Sequence, residues 1–295
     1  MERIQLKALG KINLGLDVLG RRENGYHDVR MVMQTVHLYD EVTIEKMEEP
    51  KIEVSTNLTF LPTDESNIAY KAAKLLLDEF RPEGGVKICL KKHIPVAAGM
   101  AGGSADAAAV LFGMNRLFGF QLHMEELKKR GVLLGADVPY CLMRGTVLAE
   151  GIGEILTPLP PMPKCHVLIA KPPVSISTKT IYEKLDSREI TAHPDIDGII
   201  RGLEEQNVKA VADKIGNVLE TVTEELCPVI SRIKGEMKQA GAMNAMMSGS
   251  GPTVFGLFKE RSAARKAGER IRQAGLARQV YTTTIHNVRR NRRND

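Results

Sequence analysis

The stretch that most limits how this chain folds is VKICLKKHIPVAAGMAGGSADAAAVLFGMNRL, residues 86–117. It begins with VKICLKK, an alternating segment that reads as a strand. It ends in a helical run to about Leu117, with Gly119 as a stop. Between them lie Pro95, Ala98, Gly99, Met100, Ala101, Gly102, Gly103, Ser104 and Ala105. A glycine-rich loop between strand and helix turns backbone N–H groups inward and opens onto the positive end of the helix dipole, which makes an anion site. The glycine spacing matches neither G-x-x-x-x-G-K-[ST] nor G-x-G-x-x-G, and the loop has no lysine. A second reading therefore stands beside the first: a tight turn, with Ser104 as N-cap of a helix that begins near it.

Segments of both periodicities occur throughout the chain. RIQLKA and INLGLDVL read as strands with a glycine between them, followed by VRMVMQTVHL, EVTIEKM and KIEVST. NIAYKAAKLLLDEF has helical spacing, as does HMEELKKRGVLLG, and GTVLAEGIGEIL reads as strand and turn. PLPPMP, residues 158–163, is the best boundary, because proline stiffens the chain and cannot donate to a ladder. Beyond it come HVLIAKP as a buried strand, helices from TKTIYEKL to ISRIKGEMKQ, AMNAMMSGSGPTVFGLF as strand–turn–strand, a helix AARKAGERIRQAG and a last strand QVYTTTI. The fold class is α+β.

The composition is that of a globular protein, with 43% hydrophobic and 26% charged residues. Aromatics are only 4%, which makes Tyr26 stand out. Net charge is +5, of which RRNRRND at the C-terminus carries +3. Without interleaved aromatics this reads as a solvated tail, and no nucleic-acid partner is expected. Cys89, Cys141, Cys165 and Cys227 form no C-x-x-C pair, so free thiols are expected, with no disulfide and no zinc site. The segment MERIQLKALGKINL lacks an apolar h-region and no run is long enough to span a membrane, so a cytoplasmic protein with no membrane partner is expected.

The loop PVAAGMAGGSADAAA resembles the P-x-x-x-G-[LM]-x-[GS]-[GS]-S-[SA] loop of the GHMP kinases. KALGKINLGLDVLGRRENGYHDVRMVMQTVHLYDEV, GADVPYCLMRGTVLAEGIGE and SGSGPTVFGLF fall in that family's order, so the resemblance runs from about Lys7 to the last strand. It implies a two-domain fold: a ribosomal-protein-like, ATP-binding N-terminal domain over 1–160 and a ferredoxin-like domain over 161–287, with a disordered basic tail at 288–295 and the site between the halves. The K-I-N and N-G-Y-H segments resemble one branch. That branch phosphorylates the 2-hydroxyl of a cytidine-diphosphate-linked methylerythritol, with ATP and Mg2+, on the non-mevalonate route to isoprenoid precursors.

The resemblance also implies roles for individual residues. Asp137 accepts the hydroxyl proton; as a weak base it does so late, along with P–O bond formation. Lys11 stabilises negative charge beside it, and Asn13, on the same strand face, binds a substrate hydroxyl. Tyr26 stacks on the cytosine, His27 hydrogen-bonds it, and Tyr182 covers its other side. Asn67 and Lys92 lie near the adenine and triphosphate, so that Lys92 brings the missing cation from outside the loop. Ser104 reaches a phosphate or the Mg2+. SGSGP, 248–252, approaches the phosphates or substrate from the second half. On the residues alone, Asp137 also reads as a turn or N-cap aspartate, Lys11 as a solvated strand-end lysine, Tyr182 as helix core and CLKKH as a charged strand end. Ala98 and Ala101 stand where relatives often have glycine, which restricts φ in the loop. A homoserine or mevalonate type of GHMP kinase, and a nucleotide-binding regulator without catalysis, remain the alternatives.

Overall fold

The computed structural model describes residues 2–288. Its elements in chain order are β1 (Arg3–Arg21), β2 (His27–Met47), β3 (Ile52–Thr56), α1 (Ile68–Phe80), β4 (Gly85–Lys91), α2 (Gly102–Phe118), α3 (Met124–Leu134), α4 (Val138–Met143), β5 (Thr146–Glu150) and β6 (Ile155–Pro158). There follow β7 (His166–Lys171), α5 (Thr178–Asp186), α6 (Ile196–Glu204), α7 (Val208–Lys214), β8 (Gly216–Asn217), α8 (Val218–Leu226), α9 (Val229–Gln239), β9 (Asn244–Met247), β10 (Val254–Phe258), α10 (Arg261–Gln273) and β11 (Gln279–Thr284). Two compact units result. The first takes the chain up to Gly10, Leu38–Val96 and Ala101–Met143; the second takes Lys11–His37, Ala97–Met100 and the chain from Arg144. The expected tail at 288–295 lies, except for Val288, outside the described residues.

The first two strands differ from the sequence reading. RIQLKA and INLGLDVL form one strand, as do VRMVMQTVHL and EVTIEKM. Every residue from Ala8 to Val18 is buried, so the backbone there must stay in a ladder, and Gly10 gives it no reason to turn. The units also do not follow a single cut at 160, because each long strand gives one end to either unit.

In the first unit, β4 has β3 beside it in parallel (Ile52↔Val86 to Thr56↔Leu90) and the end of β2 antiparallel (Glu41↔Lys91 to Met47↔Gly85). Parallel neighbours need a crossover, and α1 supplies it between β3 and β4. Its buried residues Ala69, Ala72, Ala73 and Leu76 form one stripe, and α2 packs along it with Ala105, Ala107, Ala108 and Ala109 buried. A Cβ on Gly113 would stand 2.5 Å from Ile44 Cδ1 and 3.0 Å from Leu6 Cδ1, so this glycine lets α2 press onto β1 and β2.

In the second unit, β5 pairs antiparallel with β2 (Met31↔Ala149 to Gln34↔Thr146) and with β6, while β8 pairs in parallel with β1 at Gly15 and Leu16. A separate antiparallel sheet has the order β11-β7-β10-β9. Helices α9 and α10 pack on it. A strand, helices, two strands, a helix and a strand, arranged 4-1-3-2, make the ferredoxin-like pattern that the resemblance implies. Its β10 is buried at every position, as a central strand should be. Among the described residues, no helix is long and apolar enough to cross a membrane.

Candidate active site

The helix α2 opens earlier than its sequence suggests. It starts at Gly102, and its N-cap is Ala101, in the left-handed region at φ 55, ψ 32, with no side-chain cap. Ser104 is therefore not the cap but a half-buried residue of the first turn. The first amide that the helix itself satisfies is that of Ala105, bonded to the Ala101 carbonyl at 2.8 Å. The amides of Gly102, Gly103 and Ser104 belong to the first turn, where N–H groups have no intrahelical acceptor, and here the cap offers none. Ala97, at φ 48, is also left-handed. An L-residue there costs about 1–2 kcal/mol, a strain that the surrounding contacts must offset.

Those contacts lie in the second unit. Ser248 Oγ donates to the Gly99 carbonyl at 2.9 Å, and the Lys11 amide donates to the Met100 carbonyl at 3.1 Å. Gly99 has φ +70, and a Cβ there would stand 2.0 Å from the Ser248 carbonyl oxygen, so glycine is required twice over. Asn217 Nδ2 in turn holds the carbonyls of Met247 and Gly249 at 2.9 and 2.8 Å. The SGSGP turn thus grips the loop's own backbone. Ala98 and Met100 are buried.

Lys11 is not a solvated lysine: it is 4% exposed and donates to Asn13 Oδ1 at 2.8 Å, while the fully buried Asn13 turns its Nδ2 to Met31 Sδ. The two residues share a strand face, two positions apart. Asp137 is half-buried and belongs to the first unit; its carbonyl accepts the Cys141 amide at 3.0 Å, so it heads the short helix α4.

Tyr26 follows a turn closed by the Arg22 amide on the Tyr26 carbonyl at 2.7 Å, and is 59% exposed. The next residue, His27, is held by Asp186, whose Oδ1 lies 2.6 Å from its Nε2, with Arg21 on the other carboxylate oxygen at 3.5 Å. The Tyr182 ring lies against the His27 ring, centroids 4.5 Å apart and tilted 31°. Tyr182 is not the core of α5, since Ile181 and Leu185 take that place. Asp186 had no signal in the sequence beyond its position at the end of a helix.

Two expected nucleotide residues have other occupations. Asn67 caps α1: its Oδ1 accepts the Ala69 amide at 2.9 Å and its Nδ2 donates to the Pro62 carbonyl at 2.7 Å. Lys92, expected to lend its charge to a phosphate, is instead buried and paired with Asp40 and Asp106. The only sign of Asp106 in the sequence is a lone charge within an alanine run. Among the described residues the cysteines form no disulfide; Cys89 is exposed and the rest are buried, and burial pushes the Cys165 thiol up to about 12.

The GHMP kinases N terminal domain matches residues 67–145, and the GHMP kinases C terminal domain matches 199–277. A 4-diphosphocytidyl-2-C-methyl-D-erythritol kinase of Lachnospira eligens is 61% identical over 96% of this chain and 98% of its own. The chain belongs to the GHMP kinases. A kinase of the same description from Lachnoclostridium phytofermentans is 56% identical over 96% of this chain and 97% of its own. The crystal structure of a 4-(cytidine 5'-diphospho)-2C-methyl-D-erythritol kinase superposes with a TM-score of 0.83 at 30% identity, covering 97% of this chain and all of the other. As a GHMP kinase the protein is a small-molecule kinase with ATP as phosphate donor, and the α+β two-domain fold is that of the family.

Proposed function

We propose that this GHMP kinase transfers the γ-phosphoryl group of ATP to the 2-hydroxyl of 4-diphosphocytidyl-2-C-methyl-D-erythritol, releasing ADP. The observation that carries this reading is identity of up to 61%, over nearly the whole chain, to kinases described by that substrate. The second unit supports it: an exposed Tyr26 ring beside a His27 oriented by Asp186 offers a flat apolar face next to a fixed hydrogen-bonding group, which suits a pyrimidine base. Homoserine or mevalonate has no use for such a platform.

In this reading the acceptor oxygen forms a bond to the γ-phosphorus as the bond to the ADP oxygen breaks, and the hydroxyl proton passes to Asp137. Lys11, held by Asn13, stabilises negative charge at the acceptor oxygen. The first-turn amides of α2 and the Gly99–Ser104 backbone hold the phosphates. Among the described residues, no group of three or more His, Cys, Asp or Glu could hold a metal alone. Mg2+ would arrive with the triphosphate, and the half-buried Ser104 hydroxyl would hold it from the protein side. When bound, the ion neutralises phosphate charge.

The test is ADP release with the cytidyl substrate, homoserine and mevalonate in parallel. Turnover with the cytidyl substrate alone is expected. Preference for either of the others would replace the substrate, and no turnover with any would favour a regulator.

A further inference from the structure

Asn217 joins the two sheets of the second unit. Its backbone lies on β8, which pairs in parallel with β1, so that Asn217 stands opposite Leu16. Its side chain reaches the other sheet. Nδ2 donates to the carbonyl of Met247, the last residue of β9, and to that of Gly249 in the turn beyond it, at 2.9 and 2.8 Å. Oδ1 accepts the Leu219 amide at 3.0 Å and so caps α8. Both N–H groups of the carboxamide and its oxygen are thus engaged, in a residue that is 8% exposed. In the first turn of α8, Glu220 Oε2 accepts the Met247 amide at 2.6 Å, while its other oxygen meets Lys234 of α9. The start of α8 therefore holds Met247 by its amide and by its carbonyl.

These contacts close a circuit. From Asn217 it runs to the turn 248–251, where Ser248 Oγ donates to the Gly99 carbonyl. A Cβ on Gly249 would stand 3.1 Å from that same carbonyl oxygen and 3.6 Å from Asn13 Oδ1. From the glycine loop the circuit returns to β1, because the Lys11 amide donates to the Met100 carbonyl. The strand then leads from Lys11 back to Leu16, opposite Asn217. Lys11 and Asn13 lie on this last arc, so their register with the glycine loop depends on the whole circuit rather than on either sheet alone. Its weakest arc is the turn, where Gly249 and Gly251 have φ +58 and +81. Glycine reaches many other conformations at little cost, so the turn needs a hold from outside.

We infer that Asn217 is a positioning residue: by gripping β9 and the turn 248–251 from β8, it keeps the glycine loop in register with Lys11 and Asn13 for phosphoryl transfer. The inference rests on the loop as the phosphate site and on Lys11 as the group that stabilises the acceptor oxygen. Serine at 217 keeps the cap, since its hydroxyl can accept the Leu219 amide, but its single hydrogen on a shorter side chain cannot serve both carbonyls. Asn217→Ser therefore cuts the circuit and spares α8. Ser248→Ala cuts the same circuit at its next link.

The experiment compares the wild type, Asn217→Ser, Ser248→Ala and the double variant. It measures kcat with the acceptor that the wild type turns over, equilibrium affinity for the non-hydrolysable analogue AMP-PNP with Mg2+, and amide hydrogen exchange. Asn217→Ser should lower kcat about 10- to 100-fold, the scale of a misplacement of about 1 Å, with AMP-PNP affinity within a few-fold of the wild type. Exchange should quicken over residues 97–100 and 248–251 and stay as in the wild type in α8 and β10. The double variant should lose no more than the worse single variant, because a circuit cut once is open. Losses that multiply in the double variant would overturn the inference, as would an unchanged kcat, or a lower kcat with loop exchange unchanged. So would AMP-PNP affinity that falls as far as kcat, since Asn217 would then support nucleotide binding alone. Should Asn217→Ser fail to fold, Ser248→Ala decides: slower turnover with faster exchange over 97–100 sustains the circuit, and wild-type behaviour ends it. A wild type that prefers homoserine or mevalonate replaces the proposed substrate and leaves the circuit to stand on the same measurements. One that binds no AMP-PNP removes the loop's nucleotide role and the purpose of Asn217 with it.

Discussion

Ser248 donates its hydroxyl to the carbonyl of Gly99 at 2.9 Å, across 149 positions of chain. The contact fixes the glycine loop at its tightest point. Replacing Gly99 by alanine adds a Cβ 2.0 Å from the Ser248 carbonyl oxygen and places an L-residue at φ +70. Backbone lies on both sides of this clash, so it cannot be relieved by a rotamer change. Gly99→Ala should lose about 2 kcal/mol or more of stability and raise the KM for ATP by about tenfold or more. Chemical denaturation and steady-state kinetics check both.

Asp137 heads α4 with its carbonyl tied to the Cys141 amide, so exchange of its side chain for an amide should leave the backbone in place. Asp137→Asn keeps shape and removes the proposed proton acceptor. Turnover should fall about 10²–10⁴-fold, with AMP-PNP affinity within a few-fold of the wild type. Single-turnover kinetics together with equilibrium binding separate the two; unchanged turnover removes Asp137 from the mechanism.

Tyr26 is 59% exposed, so its ring does little for the fold and its loss should leave thermal stability nearly unchanged. Stacking on a base is worth about 1–3 kcal/mol. Tyr26→Ala should therefore raise the KM for the cytidyl substrate about tenfold or more, with the KM for ATP unaffected. An effect confined to ATP would refute the stacking role.

The residues that sequence reading found and those it missed differ in the range of the forces that place them. Gly119 ends α2 in the left-handed region because a local rule demands it, and the stripe Ala69–Ala72–Ala73–Leu76 is written in the helical period. The ferredoxin-like strands are equally local signals. The partners of Lys92 are not, since they lie 52 and 14 residues away, and no periodicity tells a lysine that two carboxylates await it. His27 and Asp186 are 159 residues apart. Ala101 defeats a local rule outright: alanine disfavours φ > 0, yet contacts made by the neighbouring loop residues hold it there, so Ser104 reads as the cap when it is not. The candidate residue types were visible one by one, but their pairings belong to the tertiary structure.

Asp106 also links protonation to stability. Its carboxyl is pushed from the ordinary 3.8 up to about 7 in the fold, mainly by burial, so between those values the folded protein binds a proton that the unfolded chain releases. Stability from this group is thus fully present below about pH 4 and is lost as pH rises through about 7. Half-buried carboxylates such as Glu53 and Asp195, whose pKa values are lowered by lysine partners, act in the opposite sense and at lower pH, so the comparison must be between proteins. Each pKa unit corresponds to about 1.4 kcal/mol, which puts the whole effect on the order of 4 kcal/mol. Asp106→Asn cannot ionise and should show a shallower decline between about pH 5 and about pH 8. Urea unfolding of both proteins across that range measures the difference in slope; identical slopes would mean that Asp106 keeps its charge in the fold, and that Lys92 neutralises it more fully than the buried second carboxylate opposes it.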